Sequence, residues 1–244
     1  MDKKIAAMKQ GGKILKAVFE HIEPMIKAGI TTVAIDNEID KFIISQRADA
    51  GFKTVPNYHH ASCITINEQV VHTRPSSRII KPGDVVTIDA GVLYQGYHTD
   101  KAITYQVDPK TNNVTKFLEI GQSTLELAIK QTVIGNYIWD ISHVIETNLN
   151  REGYKVIFDL TGHGVGERLH MDPFIPGFIS KKRNRTEQII SGMTLAIEVI
   201  YSIGSHDIKP EAGDDWSLLT ADNSLSACFE DTILVTENKP LILT

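Results

Sequence analysis

Apolar residues recur at alternating three- and four-residue steps from the start of the chain: Ile5, Met8, Gly12, Leu15, Phe19, Ile22 and Ile26. That spacing puts them on one face of an amphipathic helix, with Gly29 as its stop. Thr31 or Thr32 can cap a second helix that turns Ile35, Ile39, Phe42 and Ile43 inward and ends at Gly51. Strand-like runs follow from Cys63 to Ile66 and from Val85 to Asp89, then from His98 to Val107, closed by Asp108-Pro109. The helical pattern then restarts. Val114, Phe117, Leu118, Gly121, Leu125 and Ala128 form a third stripe, and Ile138, Ile141, Ile145 and Leu149 a fourth that Gly153 ends.

The two stretches can be laid over each other. Gly29 with Ile35, Ile39 and Ile43 matches Gly135 with Ile141, Ile145 and Leu149. Gly83 to Asp89 matches Gly192 to Glu198, and the strand with Asp100 matches the one with Glu230. An acid closes both glycine-led strands, and a carboxylate at the end of an apolar strand is costly to bury without a partner. We expect a helix-helix-strands unit used twice, roughly residues 1–110 and 111–244, in one domain spanning 1–244. No linker rich in Pro, Gly or Ser separates the halves.

Composition narrows the function. A net charge of -5 argues against general nucleic-acid binding. The two cysteines, Cys63 and Cys228, form no CxxC pair, which excludes a zinc ribbon or a thioredoxin motif. No apolar run approaches the ~20 residues of a membrane span, and Lys9 and Gln10 cut short any signal-peptide core. We therefore expect a cytoplasmic protein with no membrane partner.

Candidate chemistry lies in acids and histidines. Asp89 and Asp100 flank a turn at Tyr94-Gln95-Gly96-Tyr97, and an even loop puts both on one face as opposite or diagonal neighbours. They read as a metal-bridging pair or as two exposed acids, with Gly91 leaving room beside them. In Gly162-His163-Gly164-Val165-Gly166, glycines let the chain bend sharply and a ligand approach His163, or they frame a structural histidine. Glu198 and Glu230 sit in apolar strand runs without Lys or Arg. Four carboxylates and one imidazole suit Mn, Fe(II) or Co, with Zn possible, and their charge needs roughly two divalent ions. GxSxG, HExxH and GxxxxGK[ST] motifs are absent. A Cys63 nucleophile with a histidine base stays open but leaves the carboxylates unexplained.

These residues resemble methionine aminopeptidase of the short bacterial type, nearly end to end. The resemblance is carried by Asn67-Glu68 before His72, Thr87-Ile88-Asp89, Gly96-Tyr97-His98-Thr99-Asp100 and Gly162-His163-Gly164-Val165-Gly166. It continues through Leu169-His170, Gly192-Met193-Thr194, Ile197-Glu198, Trp216 and Ser224 to Glu230. It implies an α/β (α+β) pita-bread fold, two pseudo-symmetric halves with a central antiparallel sheet flanked by helices. It implies a hydrolase that removes the N-terminal methionine of nascent proteins, working as a monomer. Asp89 would hold one metal, His163 and Glu198 the other, with Asp100 and Glu230 bridging. Glu198 would shuttle the proton, His170 stabilise the oxyanion and His72 bind the scissile amide, while Tyr58, Cys63, Leu169 and Trp216 form the methionine pocket. The basic run Lys181-Lys182-Arg183-Asn184-Arg185 would make a transient ribosome contact or simply be a solvated loop.

Departures from the pattern are His72-Thr73-Arg74-Pro75 for His-Gly-Ile-Pro, Val199 for proline, Leu169 for an aromatic, and Asp231 for histidine. All are expected at the substrate mouth. Asp231 also matches the related Xaa-Pro dipeptidases and aminopeptidases P, which are the alternative activity. A non-catalytic peptide-binding module on the same fold is the other alternative.

Overall fold

A computed structural model describes residues 2–244. The four expected helices form as α1 (Asp2–Ile22), α2 (Thr32–Ser45), α3 (Asn112–Ile129) and α4 (Ile138–Arg151). The first ends before Ile26 because Pro24, which has no N–H to continue the ladder, opens a 3-10 turn over Glu23–Met25. Thr31 caps α2, its hydroxyl accepting the Ala34 N–H at 3.3 Å, while Thr32 donates instead to the Ser76 carbonyl. Gly51 does not end α2. The helix stops at Ser45, followed by Arg47 in the left-handed region (φ 57), and Gly51 opens a separate 3-10 turn.

The strands are β1 (Asp49–Ala50), β2 (Ser62–Ile66), β3 (Gln69–Val71), β4 (Val85–Tyr94) and β5 (Tyr97–Gln106). After α4 come β6 (Lys155–Val156), β7 (Thr161–Gly164), β8 (Met171–Pro176) and β9 (Thr194–Ser202). The last are β10 (Ile208–Pro210), β11 (Leu218–Thr220), β12 (Ser226–Leu234) and β13 (Leu241–Ile242). A ten-stranded antiparallel sheet runs β1-β4-β5-β12-β9-β7-β8, with β2 on β4, β6 on β9 and β13 on β12. A smaller sheet, β10-β11-β3, stands beside it.

Alternation along the strands separates two faces. On one, Val86, Ile88, Ala90 and Val92 of β4 pack in a core with Leu15, Phe19, Ile35 and Ile39 of α1 and α2. Leu195, Ile197, Val199 and Tyr201 of β9 do the same with Phe117, Leu125, Ile141 and Ile145 of α3 and α4. Each helix pair thus covers its own half of the sheet and buries the stripe read from the sequence. Residues of opposite parity, including every expected acid, share the other face. Neither Asp89 nor Glu198 closes its strand: β4 runs on to Tyr94 and β9 to Ser202.

Candidate active site

Strand register assembles the acids. β4 and β5 are joined by the two-residue turn Gln95-Gly96, both with positive φ, which pairs Tyr94 with Tyr97. Asp89 then faces Ala102 and Gly91 faces Asp100, so the two aspartates are diagonal neighbours on one face. Across the next junctions Ala102 faces Glu230, and Glu230 faces Glu198. One row therefore reads Asp89, Ala102, Glu230, Glu198, and small Ala102 leaves space at its middle. His163 enters from β7 opposite Ala196, two residues from Glu198 and so on the same face. Its segment is a strand and not a sharp turn. Its glycines allow close packing: a Cβ on Gly162 would lie 2.6 Å from the Ala196 carbonyl oxygen, and one on Gly164 2.3 Å from that of Asp172. The room expected beside Gly91 is filled by the Phe52 ring, 3.0 Å from where a Cβ would stand.

Asp100, His163 and Glu230 each offer one ligand atom within 4.8 Å of the others. Glu198 Oε1 lies 3.4 Å from His163 Nε2. With Nδ1 protonated, His163 donates to the Gly164 carbonyl at 3.0 Å, which leaves the Nε2 lone pair free for a cation. Burial and neighbouring His170 hold His163 down to about 4, so it is neutral near pH 7.

The carboxylates carry the opposite perturbation. Burial pushes Asp89 well up, reinforced by Asp100 and Glu198. Glu198 is raised by burial and by Asp100, and Glu230 by burial, Asp100 and Glu198. Burial moves Asp100 up to about 7, against the Lys101 amide hydrogen bond that lowers it. No Lys or Arg lines the cavity among the described residues. Asp89 Oδ1 and Glu230 Oε1 are buried with no hydrogen-bond partner among the described residues. A dense set of oxygen donors with spare lone pairs and one free imidazole nitrogen fits a divalent cation site.

A cavity of about 290 Å³ opens over this row, and every site residue named from the sequence lines it. His72 holds a left-handed backbone (φ 59) at the mouth, and the His170 ring meets that of His163 edge-on at 4.5 Å. The apolar end is formed by Tyr58, Cys63 and Leu169, with Trp216 packed against them. Trp216 meets Tyr58 edge-on at 5.0 Å, and the Tyr58 hydroxyl donates to the Ser62 carbonyl at 2.8 Å. Phe52 and Val55 complete this end and were not anticipated, because they lie in and just after a single 3-10 turn too short to show a hydrophobic period. Burial raises the Cys63 thiol well above its ordinary value, beside Asp89. That shift disfavours the thiolate a cysteine nucleophile needs, and the Tyr58 hydroxyl lies 3.0 Å from the sulfur.

The departures fall elsewhere than expected. Leu169 does line the cavity, but Val199 is fully buried in the helix-side core. Asp231 lies on the reverse face of β12, paired with Lys101. Thr73 is buried, and Arg74 binds Asp214 at 3.1 Å outside the row of acids. In the basic run, Arg183 is engaged by Asp140 through Nε and Nη2 and lies over the Tyr137 ring.

Comparison with known proteins agrees with this geometry. The profile of metallopeptidase family M24 matches residues 6–237. Methionine aminopeptidase 1 of Bacillus subtilis is 36% identical over 242 residues, covering 99% of this chain and 96% of its own. The crystal structure of methionine aminopeptidase from Thermotoga maritima superposes with a TM-score of 0.96 at 35% identity, covering 100% and 97% of the two chains. A prolidase from Pyrococcus furiosus shares the fold at a TM-score of 0.80 and 20% identity, but this chain spans only 64% of it. A buried carboxylate-histidine row under a half-apolar cavity, on a sheet that matches these relatives over its whole length, places the chain in metallopeptidase family M24, among the methionine aminopeptidases.

Proposed function

We propose that the chain removes N-terminal methionine from nascent polypeptides as a metal-dependent aminopeptidase. The observation that carries this is the meeting, in one cavity, of the acid row with an apolar end formed by Phe52, Tyr58, Cys63, Leu169 and Trp216. Asp89 would hold one divalent ion, His163 and Glu198 a second, and Asp100 and Glu230 both. When bound, Mn, Fe(II), Co or Zn ions would supply Lewis acidity and lower the pKa of water. Glu198 takes the proton of the attacking water and returns it to the departing amine nitrogen. The His170 ring N–H donates to the carbonyl oxygen as negative charge develops on it. His72 holds the scissile amide at the mouth. Tyr58, Cys63, Leu169 and Trp216 exclude water around the methionine thioether chain. The whole chain would act as one catalytic domain, as a monomer, in the cytoplasm, with at most a transient ribosome contact through Lys181 and Lys182.

An Xaa-Pro activity loses the sequence feature that favoured it, since Asp231 faces away from the cavity. The test is a substrate panel. Metal-free protein is titrated with Mn(II), Fe(II) or Co(II) and assayed on Met-Ala-Ser against Xaa-Pro peptides. Cleavage of Met-Ala-Ser is expected, and cleavage of Xaa-Pro peptides alone rejects the proposal. Full activity in Asp100→Ala sinks the bridging assignment.

A further inference from the structure

The junction between β5 and β12 joins the two halves of the chain and differs from the long junctions on either side of it. β4 and β5 stay in register along their whole length, as do β9 and β12. β5 and β12 are in register only at Ala102 with Glu230 and at Lys101 with Asp231. On either side a threonine hydroxyl stands in for the ladder. Thr232 Oγ1 accepts from the Asp100 amide at 2.8 Å and donates to the Asp100 carbonyl at 2.9 Å. Thr104 Oγ1 accepts from the Cys228 amide at 3.0 Å and donates to the Cys228 carbonyl at 2.7 Å. Asp100 and Glu230 lie on opposite sides of this seam, so its width sets the distance between their carboxylates. Those carboxylates repel each other across it.

Lys101 and Asp231 follow Asp100 and Glu230 in sequence and point to the reverse face. Lys101 Nζ bonds Asp231 Oδ1, and the two side chains are 13% and 11% exposed. Phe19 of α1 lies under the ammonium, 6.0 Å from Nζ to the ring centroid. The Thr244 hydroxyl donates to Asp231 Oδ1 at 3.1 Å and accepts the Thr232 amide at 3.0 Å. A desolvated ion pair often adds no net stability over a well-packed apolar pair, so stability alone does not account for one at this seam.

We infer that the Lys101–Asp231 pair is a positioning device. It clamps β5 to β12 from behind and fixes the spacing of the Asp100 and Glu230 carboxylates against their repulsion. Metal affinity then depends on two residues that never touch the metal. This rests on the metal-bridging assignment proposed above.

The test replaces the pair as a unit. Lys101→Met/Asp231→Leu removes both charges at similar volume, and Lys101→Gln/Asp231→Asn, which keeps polar groups, is measured in parallel in case the first fails to fold. Three measurements are made: thermal unfolding in EDTA, Mn(II) affinity by calorimetry, and the EPR signal of a spin-coupled Mn(II) pair. At least one double variant is expected to unfold within a few degrees of wild type, yet to bind Mn(II) about tenfold more weakly and lose the coupled signal. A purely structural role would leave affinity and coupling unchanged at matched stability. A folded double variant with wild-type affinity and coupling overturns the inference. Failure of wild type itself to bind Mn(II) overturns the metal assignment and the inference with it.

Discussion

Removing a metal-site charge should stabilise the metal-free protein. Asp100 is 3% exposed, and burial moves its carboxyl from 3.8 to about 7. A folded-state pKa raised in this way contributes stability that is complete below 3.8 and lost as pH rises through about 7. At pH 8 the folded chain carries a buried carboxylate that the unfolded chain would solvate, a difference of about 4 kcal/mol at ~1.36 kcal/mol per pKa unit. Asp100→Asn keeps the shape and the acceptor for the Lys101 amide at 3.1 Å but removes the charge. In EDTA at pH 8 its Tm should exceed that of wild type by roughly 8–16 °C, at ~2–4 °C per kcal/mol for a chain of this size. At pH 5 the gain should shrink to about a third, because the wild-type carboxyl is then largely protonated when folded. Saturating Mn(II) should close this gap, since ligand at ~1,000 times Kd stabilises wild type by about 4 kcal/mol, which matches the deficit. Thermal unfolding by circular dichroism at both pH values reads the difference between the two proteins, in which common histidine titrations largely cancel. An Asn variant less stable than wild type at pH 8, or equally favoured at both pH values, would refute the reasoning.

Three further outcomes are expected. In Gly12→Ala the new methyl would lie 2.1 Å from the Leu243 carbonyl oxygen and force the C-terminal segment off α1, lowering stability by about 1–3 kcal/mol in urea unfolding. Gly11→Ala, whose nearest neighbour is Thr99 Oγ1 at 3.3 Å, is the control, and equal stability of the two variants contradicts the packing. His170→Ala should lower kcat by roughly 10²–10³ with Mn(II) affinity within about threefold of wild type, and a large loss of affinity would make it a ligand instead. Trp216→Ala opens the apolar end beside Tyr58 and should raise KM for methionyl peptides more than it lowers kcat; steady-state kinetics showing the reverse would remove Trp216 from the pocket wall.

The helices were legible in the chain because each buries one stripe against one sheet face, and a 3.6-residue period records that locally. Ile141, Ile145 and Leu149 announce their burial wherever α4 sits. The β4–β5 hairpin was legible as well, since Gln95-Gly96 fixes its register within a few residues. Strand ends were not. Asp89 and Glu198 read as termini because a lone buried acid is costly, and only the tertiary structure shows them in mid-strand, gathered with Asp100, Glu230 and His163 in a donor set that fits a shared divalent cation. The sense of each substitution was equally hidden. Val199 and Asp231 stand next to Glu198 and Glu230 in sequence, yet strand alternation sends them through the sheet to the helix side. By itself, the sequence determined which residue types could do metal chemistry and which elements carry them. Tertiary structure alone decided that they meet in one row, that Phe52 closes the pocket, and that Lys101 pairs with Asp231 behind it. The row and the ion pair depend on register between strands about 130 residues apart, as with Lys101 and Asp231, and no local pattern encodes such a distance.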